Sequence, residues 1–437
     1  MEKLFKLSQR GTDVKTEVIA GLTTFMTMAY VLAVQPAAIC GGDAAVVDVN
    51  GVVITNSAIM ISCALVSGLI TMLMAFYTNL PFALSTGMGS NFILGAMIQS
   101  QAISFGSAML ITLVSGIIFV ALTVFGLRDL IVRVIPKNLK IAISASIGFF
   151  IAYLGFKNSG IGSFVNGIAL GDITAPAVLL SIGGLLLMIV LNALNVKGAI
   201  LISILAITLI GIPCGVTQIS GVAAVPDFSD LSNVMLNFDL SNVFTASGLI
   251  LVFVCFFGDF FSTLGTVLAV AGRANMLDEN GNLPGIERPF LVDAIGTCVG
   301  ALTGNTTVTT YVESTSGVEA GGRSGLTSLV TGVMFLLTVF LAPLFVAIPY
   351  CATGPALIYV GFLMLKGFVD IDFSSFDECI APCVMLMFTA FTGSITNGLG
   401  AGIIVHVLVK LVKGRAKDVH PIMYVLCALM VLYFIVG

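Results

Sequence analysis

The sequence has 437 residues, of which 58% are hydrophobic and only 9% charged, with a formal net charge of −4 and a mean hydropathy of +1.12. Soluble globular chains carry about 25% charged residues, so this composition excludes a soluble protein and describes a polytopic membrane protein whose first partner is the lipid bilayer. No basic block or groove-reading motif is present, which argues against nucleic acid as a partner.

No charged residue lies between Val49 and Leu127 or between Ser324 and Leu365, and apolar runs of about 20 residues, the length of a crossing helix, repeat many times. Barrel strands would alternate in segments of about ten, so the expected class is an all-α bundle. The nine cysteines are scattered singly through apolar runs. Cys379 and Cys383 have helical spacing, unlike a metal knuckle, and the role expected of all nine is that of small core hydrophobes. Met1 to Thr16 is polar and leads directly into an apolar run, a pattern without a cleavable signal.

Lys3, Lys6, Arg10 and Lys15 precede the first expected span, 17–38, and place the N-terminus in the cytoplasm. A second span is expected at 56–77. The stretch Pro81 to Asn91 is polar and Gly-rich inside an uncharged region and reads as a broken helix. A fourth span, 106–127, ends at Arg128, Arg133, Lys137 and Lys140, cytoplasmic after an even number of crossings. Spans at 140–157, 177–195 and 197–218 follow, then an Asp-rich segment with Pro226. The reading is a first repeat over 1–225, a linker over 226–245 and a second repeat over 246–437.

The second half restarts with spans at 246–270 and 290–303. Its third element is Gly304-Asn-Thr-Thr-Val-Thr-Thr-Tyr-Val-Glu-Ser-Thr-Ser-Gly317, a polar island in the most hydrophobic part of the chain. Its alternation and β-branched residues predict a short extended segment before a helix starting near Glu313. Non-helical backbone at membrane depth survives only where protein or a water-filled cavity satisfies it. A broken helix in third place in each half is the mark of an inverted-repeat transporter with its site at the breaks. Spans at 325–349, 352–368, 376–394 and 396–412 complete a seven-plus-seven count. A basic loop of Lys410, Lys413, Arg415 and Lys417 follows, and the run 421–436 is surplus, either crossing or lying along the surface.

Two carboxylates stand out within apolar segments, Asp259 and Glu313. An acid at a helix centre costs about 2.5–3.5 kcal/mol on insertion scales and is a functional candidate by default. Asp293 is the weaker case, because Glu287 and Arg288 suggest a membrane boundary. Ser262, Thr263 and Thr266 follow Asp259 at helical spacing and extend a polar stripe. Asn91 follows Gly87-Met-Gly89, and its amide both donates and accepts, which suits a heterocycle. Phe25, Phe256, Phe257, Phe260 and Tyr311 could stack on a flat substrate, although core packing is the commoner use of such rings.

The motifs Glu17-Val-Ile-Ala-Gly-Leu-Thr-Thr-Phe-Met-Thr-Met-Ala-Tyr30, Thr86-Gly-Met-Gly-Ser-Asn91, Asp259 to Thr266, Thr307-Val-Thr-Thr-Tyr-Val-Glu-Ser314 and Gly321-Gly-Arg-Ser-Gly325 resemble the nucleobase:cation symporter-2 family. The nearest branch is that of the adenine, guanine and hypoxanthine permeases. The resemblance covers essentially the whole chain. It implies fourteen spans in two inverted repeats, core and gate domains that move against each other, and broken helices three and ten meeting at the midplane, where each carries a short β-strand. It implies uptake of a purine nucleobase, guanine or hypoxanthine first, across the plasma membrane by proton symport. Carried over by motif, Asn91, Asp259, Ser262 and Glu313 are substrate-binding or coupling positions. Phe25, Thr27 and Thr310 join them as substrate-binding candidates, and Asp259 and Glu313 as proton-coupling ones. No cofactor or metal is expected beyond the proton, and a homodimer is allowed. Two departures are notable: the branch usually has a second acid where Ser262 stands, and Gly-Thr-Ser-Thr where this chain has Gly304-Asn-Thr-Thr307.

Other purines (adenine, xanthine, uric acid) and an anion carrier on the same fold are the rival readings, since fold alone does not fix a substrate. A midplane acid argues against the anion. A channel would show uptake without proton movement. An intramembrane enzyme has little support, with only His406 and His420 in the chain and no metal pattern.

Overall fold

The structure is a computed structural model that describes residues 2–41, 44–126, 136–164, 169–196, 198–218, 221, 225–226, 228–278, 283–393 and 395–436. Arg128 and Arg133, part of the expected basic loop, lie outside the described residues.

The first crossing is two helices rather than the continuous span expected over 17–38. Helix α1 (Val14–Met28) starts where the Asp13 carboxylate accepts the Thr16 N–H, a standard N-cap. It stops at a turn through Ala29 and Tyr30, and α2 (Val31–Cys40) continues. Helix α3 (Asn56–Thr78) is capped by Thr55. The chain then runs extended as β1 (Leu84–Thr86) and re-enters a helix, α4 (Met88–Gln99). Next come α5 (Phe105–Val124), α6 (Lys137–Asn158), α7 (Pro176–Ala193) and α8 (Ala199–Gly211). The last is shorter than the expected 197–218: Ile212 is still helical, but Pro213 has no N–H to continue the ladder and Gly215 turns the chain at φ +71°.

The second half repeats the order: α9 (Ala246–Arg273), α10 (Glu287–Leu302), β2 (Val308–Thr310) and a six-residue helix, α11 (Ser314–Glu319). Helix α12 (Gly325–Leu337) continues through a 3-10 turn to Val346, and α13 (Tyr350–Met364), α14 (Phe376–Thr392), α15 (Ile395–Val412) and α16 (Pro421–Val436) complete the chain. Among the described residues seven stretches are long and apolar enough to cross a membrane, counting α1 with α2 as Val14–Cys40 and α12 with its continuation as Gly325–Val346, while α8, α13, α15 and α16 are shorter apolar helices.

The two polar islands meet. Strands β1 and β2 pair antiparallel with Leu84 opposite Thr310, Ser85 opposite Thr309 and Thr86 opposite Val308. The ladder is extended by Gly87 N–H to Thr307 O at 2.7 Å and Tyr311 N–H to Ala83 O at 3.0 Å. Edge groups are satisfied by side chains: Thr71 Oγ1 both donates to Leu84 O and accepts from Leu84 N, Thr297 Oγ1 accepts from Val308 N, and Ser314 Oγ accepts from Ala83 N. Buried backbone must find such partners because lipid offers none. Gly304, at φ +86°, turns the chain from α10 into this segment, a conformation that a side chain would strain.

Among the described residues the helices pack as two groups. The core holds α1 to α5 and their counterparts α9 to α12, four crossings from each half. The gate holds α6 to α8 with α13 to α16. In α3, 72% of the most apolar window is buried, against 22% in α7. Helix α7 therefore gives most of its surface, including Leu186, Ile189 and Val190, to lipid. The surplus run 421–436 forms α16, which packs on α15 and α9 and buries Met423, Leu426 and Met430.

The expected basic loop is partly neutralised. Lys410 is buried and its Nζ lies 2.7 Å from Glu378 and 3.5 Å from Asp377, while Lys413 and Arg415 also reach Asp377. Asn138 donates to Glu378 as well, so α6, α14 and α15 are tied at one end of the gate.

Candidate functional site

A cavity of about 610 Å³ lies where the strand crossing faces the gate. From the core it is lined by Tyr30, Ser90, Phe257, Asp259, Ser262, Thr310, Tyr311 and Glu313, and from the gate by apolar side chains such as Ile143, Val360 and Met385. It runs past Leu139, Thr266 and Ala269, toward the end of the bundle where Lys137 and Arg273 stand. Gly265 and Ala269 are exposed along that path.

Glu313 follows β2 and sits at the N-cap position of α11, as the residue pattern predicts, half-buried against the cavity. Tyr30 Oη donates to its Oε1 at 2.7 Å. Thr27 Oγ1 reaches the Glu313 carbonyl at 3.4 Å, while its closer bond is to Thr24 O at 2.9 Å. The break in the first crossing thus grips both the main chain and the carboxylate of Glu313.

Asp259 stands on the cavity face of α9. Thr297 Oγ1 donates to its Oδ2 at 2.6 Å, and its Oδ1 has no partner among the described residues. Four residues on, Thr263 turns inward and its hydroxyl lies 2.8 Å from that of Thr309 on β2. Ser262 and Thr266 face the cavity, so the polar stripe of α9 divides between lining and strand support.

Asp293 is not a boundary residue. It is fully buried, its Oδ1 accepts the Thr310 N–H at 2.8 Å, and its Oδ2 has no partner among the described residues. Its neighbours Glu287 and Arg288 stand at the start of α10, more than a helical turn away, which is why sequence proximity misplaces it. Thr310 lines the cavity, and its buried hydroxyl also has no partner among the described residues.

Asn91, Phe25 and Thr27 are not among the lining residues. Asn91 is buried in the first turn of α4, where its Oδ1 accepts the hydroxyl of Thr306. Phe25 packs edge-on against Phe335, with centroids 5.3 Å apart. Phe256 and Phe260 join Phe119 and Phe290 in an aromatic cluster, and of the candidate rings Phe257 and Tyr311 remain at the cavity. Asn305 is fully buried and donates to Ser62 Oγ at 2.5 Å, while Gln35 Nε2 donates to its Oδ1 at 3.4 Å. That departure from the family pattern joins α2 and α3 to the second polar island.

Sequence reasoning passed over Tyr30 and Thr297. Tyr30 had a signal, as the residue closing the motif that starts at Glu17. Thr297 had none beyond being a hydroxyl four residues after Asp293.

Among the described residues no Lys, Arg or His lines the cavity, while two carboxylates do and a third lies behind them. Such a site accepts N–H groups and cations and repels anions.

A model of the Permease family, Xan_ur_permease, matches residues 15–400. The adenine permease AdeQ of Escherichia coli is 35% identical over 438 residues, covering 100% of this chain and 96% of that protein. The guanine/hypoxanthine permease PbuG of Bacillus subtilis is 36% identical over 443 residues, covering 100% and 99%. The transmembrane domain of the cyanobacterial bicarbonate transporter BicA superposes with a TM-score of 0.62 at 14% identity, over 89% of this chain and 97% of that one. Murine Slc26a9, an anion transporter in an inward-facing state, gives 0.65 at 13%, over 91% and 68%. Those structures share the seven-plus-seven inverted-repeat fold, and the likeness fixes the architecture here. With motifs, family match and full-length relatives in agreement, the chain belongs to the nucleobase:cation symporter-2 family of multi-pass membrane permeases.

Proposed function

We propose that this permease takes up oxopurine nucleobases, guanine and hypoxanthine first, by proton symport through alternating access, with its N-terminus in the cytoplasm. The observation that carries the reading is Glu313, a carboxylate at the cavity wall whose Oε1 is held by Tyr30. Guanine offers adjacent N1–H and N2–H donors, and hypoxanthine keeps N1–H, so an ionised carboxylate is the complementary acceptor. Adenine presents N1 as an acceptor and needs a protonated acid. Phe257 and Tyr311 at the same cavity offer aromatic surface to a flat ring.

Coupling is assigned to Asp259 and, behind it, Asp293. Each has one carboxylate oxygen without a partner among the described residues, in a buried setting where carrying charge is costly. A proton relieves that cost, and its gain and loss can follow the movement of core against gate. The anion reading has the fold in its favour, but a wall with two carboxylates and no cationic side chain among the described residues opposes it.

The test is uptake of labelled guanine into vesicles with an imposed pH gradient, in competition with hypoxanthine, xanthine, adenine, uric acid and uracil. Guanine and hypoxanthine compete best and uptake collapses with the gradient. Uptake of guanine that ignores the gradient rejects symport, and failure of every purine to enter rejects the substrate class.

A further inference from the structure

Tyr30 is the one side chain among the described residues that donates to the Glu313 carboxylate, and it does so from the break in the first crossing. Its side chain is almost fully buried and belongs to the cavity lining. The position is well braced: Thr27, three residues earlier, reaches the Glu313 carbonyl. Gly317 brings α11 so close to α1 that a Cβ there would lie 2.0 Å from Thr24 Oγ1 and 2.8 Å from Ala20 O. The distance from Tyr30 to Glu313 is therefore set by packing between the two halves, not by a free rotamer.

From this geometry we infer that Tyr30 is the positioning residue that selects the purine edge read by Glu313. The proposal rests on the purine reading of the site. A phenol hydroxyl donating to Oε1 occupies one oxygen and stabilises the ionised carboxylate. The remaining oxygen is then oriented as an acceptor for an N1–H donor. Without that hydroxyl the carboxylate loses a charge-assisted bond and its fixed orientation. A neutral acid can donate to the N1 acceptor of adenine, so the preference moves from oxopurines toward adenine. In this arrangement Tyr30 acts through Glu313 and requires no contact of its own with the substrate.

The experiment uses the full-length protein in proteoliposomes, comparing wild type, Tyr30→Phe, Glu313→Gln and the double variant for labelled guanine uptake, adenine competition and pH profile. In Y30F the KM for guanine rises roughly tenfold, the magnitude of losing one hydrogen bond to a charged group, with kcat changed much less. Adenine becomes a better competitor relative to unlabelled guanine, and the acid limb of guanine uptake moves to higher pH. In the E313Q background the Tyr30 substitution adds no further loss. A wild-type adenine-to-guanine ratio and pH profile in Y30F, or additive losses in the double variant, overturns the proposal. An infrared difference spectrum of wild type with and without guanine keeps the question decidable if Y30F does not fold. A tyrosine C–OH band shifts on binding and is missing from the E313Q spectrum, and its absence in wild type counts against Tyr30. Wild-type protein that carries no oxopurine at all rejects the functional reading itself, a result distinct from any Tyr30 outcome.

Discussion

Glu17 Oε2 accepts both the backbone N–H of Thr327, at 3.0 Å, and its hydroxyl, at 2.6 Å. Oε1 accepts the Arg323 N–H at 2.8 Å, so one fully buried carboxylate at the start of α1 satisfies the opening turn of α12, 310 residues later in sequence. Helix N-termini leave donors unpaired and favour negative charge. Glu17→Ala strands these donors and should destabilise the protein by about 2–3 kcal/mol, seen as a lower thermal midpoint in detergent. Guanine affinity of the folded fraction should stay near wild type, because Glu17 does not line the cavity. An unchanged midpoint would remove the capping role.

Asp239, in the segment whose sequence suggests a linker between repeats, ties that segment to the rest of the chain by accepting from Ser104 at 2.5 Å and Asn50 at 3.1 Å, and accepts from its neighbour Ser241 at 2.6 Å. Those hydrogen bonds, Ser104 first, hold its carboxyl well below the usual carboxylate range. A depressed folded value means that the attachment is fully present above the unfolded value of about 3.9 and is lost as pH falls through the folded one. Protease cleavage of the linker in vesicles should be slow at neutral pH and faster below about pH 4. The Asp239→Asn protein should be cleaved faster already at neutral pH. Equal cleavage of both proteins at pH 7 would show that the linker is held by other contacts.

Gly95 marks a close backbone approach within the core. A Cβ there would lie 2.1 Å from the Ala38 carbonyl oxygen, a main-chain atom with nowhere to go. Gly95→Ala should therefore cost about 1–3 kcal/mol through overpacking and weaken uptake by displacing α4, which carries Ser90 to the cavity. Gly183 on α7 has nothing within 4 Å of its Cβ position. Gly183→Ala should leave stability unchanged or raise it by up to about 1 kcal/mol. Thermal midpoints of the two variants side by side check the contrast.

Much of the architecture was legible because lipid imposes simple rules. Two polar, Gly-containing islands in uncharged sequence had to satisfy their backbone inside protein, and they do so by pairing with each other through Thr86 and Val308. Glu313 at the head of its half-helix could be read from the same pattern. The roles of Asn91 and Asn305 could not, because an amide next to a glycine turn reads alike whether it faces a ligand or another helix. Here one bonds Thr306 and the other Ser62. Asp293 was undervalued since proximity to charged residues in sequence says nothing about depth along a helix. Tyr30 needs a partner 283 residues away, a relationship that only the fold reveals.

The paired acids give the sharpest separation of structure from coupling. Asp293 Oδ1 accepts the Thr310 N–H, and Asp259 Oδ2 accepts the Thr297 hydroxyl, while the second oxygen of each is free of partners among the described residues. An Asn in either place can keep the accepted bond with its own carbonyl oxygen but cannot take up a proton. Asp293→Asn should therefore retain the strand crossing and a near wild-type thermal midpoint, whereas Asp293→Ala leaves the Thr310 N–H unpaired and should cost about 1–3 kcal/mol. In both Asp→Asn variants guanine should still exchange down its own gradient, and accumulation driven by an imposed pH gradient should be lost. Because Asp259 lines the cavity and Asp293 stands behind it, Asp259→Asn should also weaken guanine binding severalfold, and Asp293→Asn much less. Counterflow, gradient-driven uptake and thermal midpoint measured on the three proteins separate these outcomes. Full gradient-driven accumulation in Asp259→Asn and Asp293→Asn alike would mean that the coupled proton is carried elsewhere, with Glu313 the remaining acid at the cavity to test.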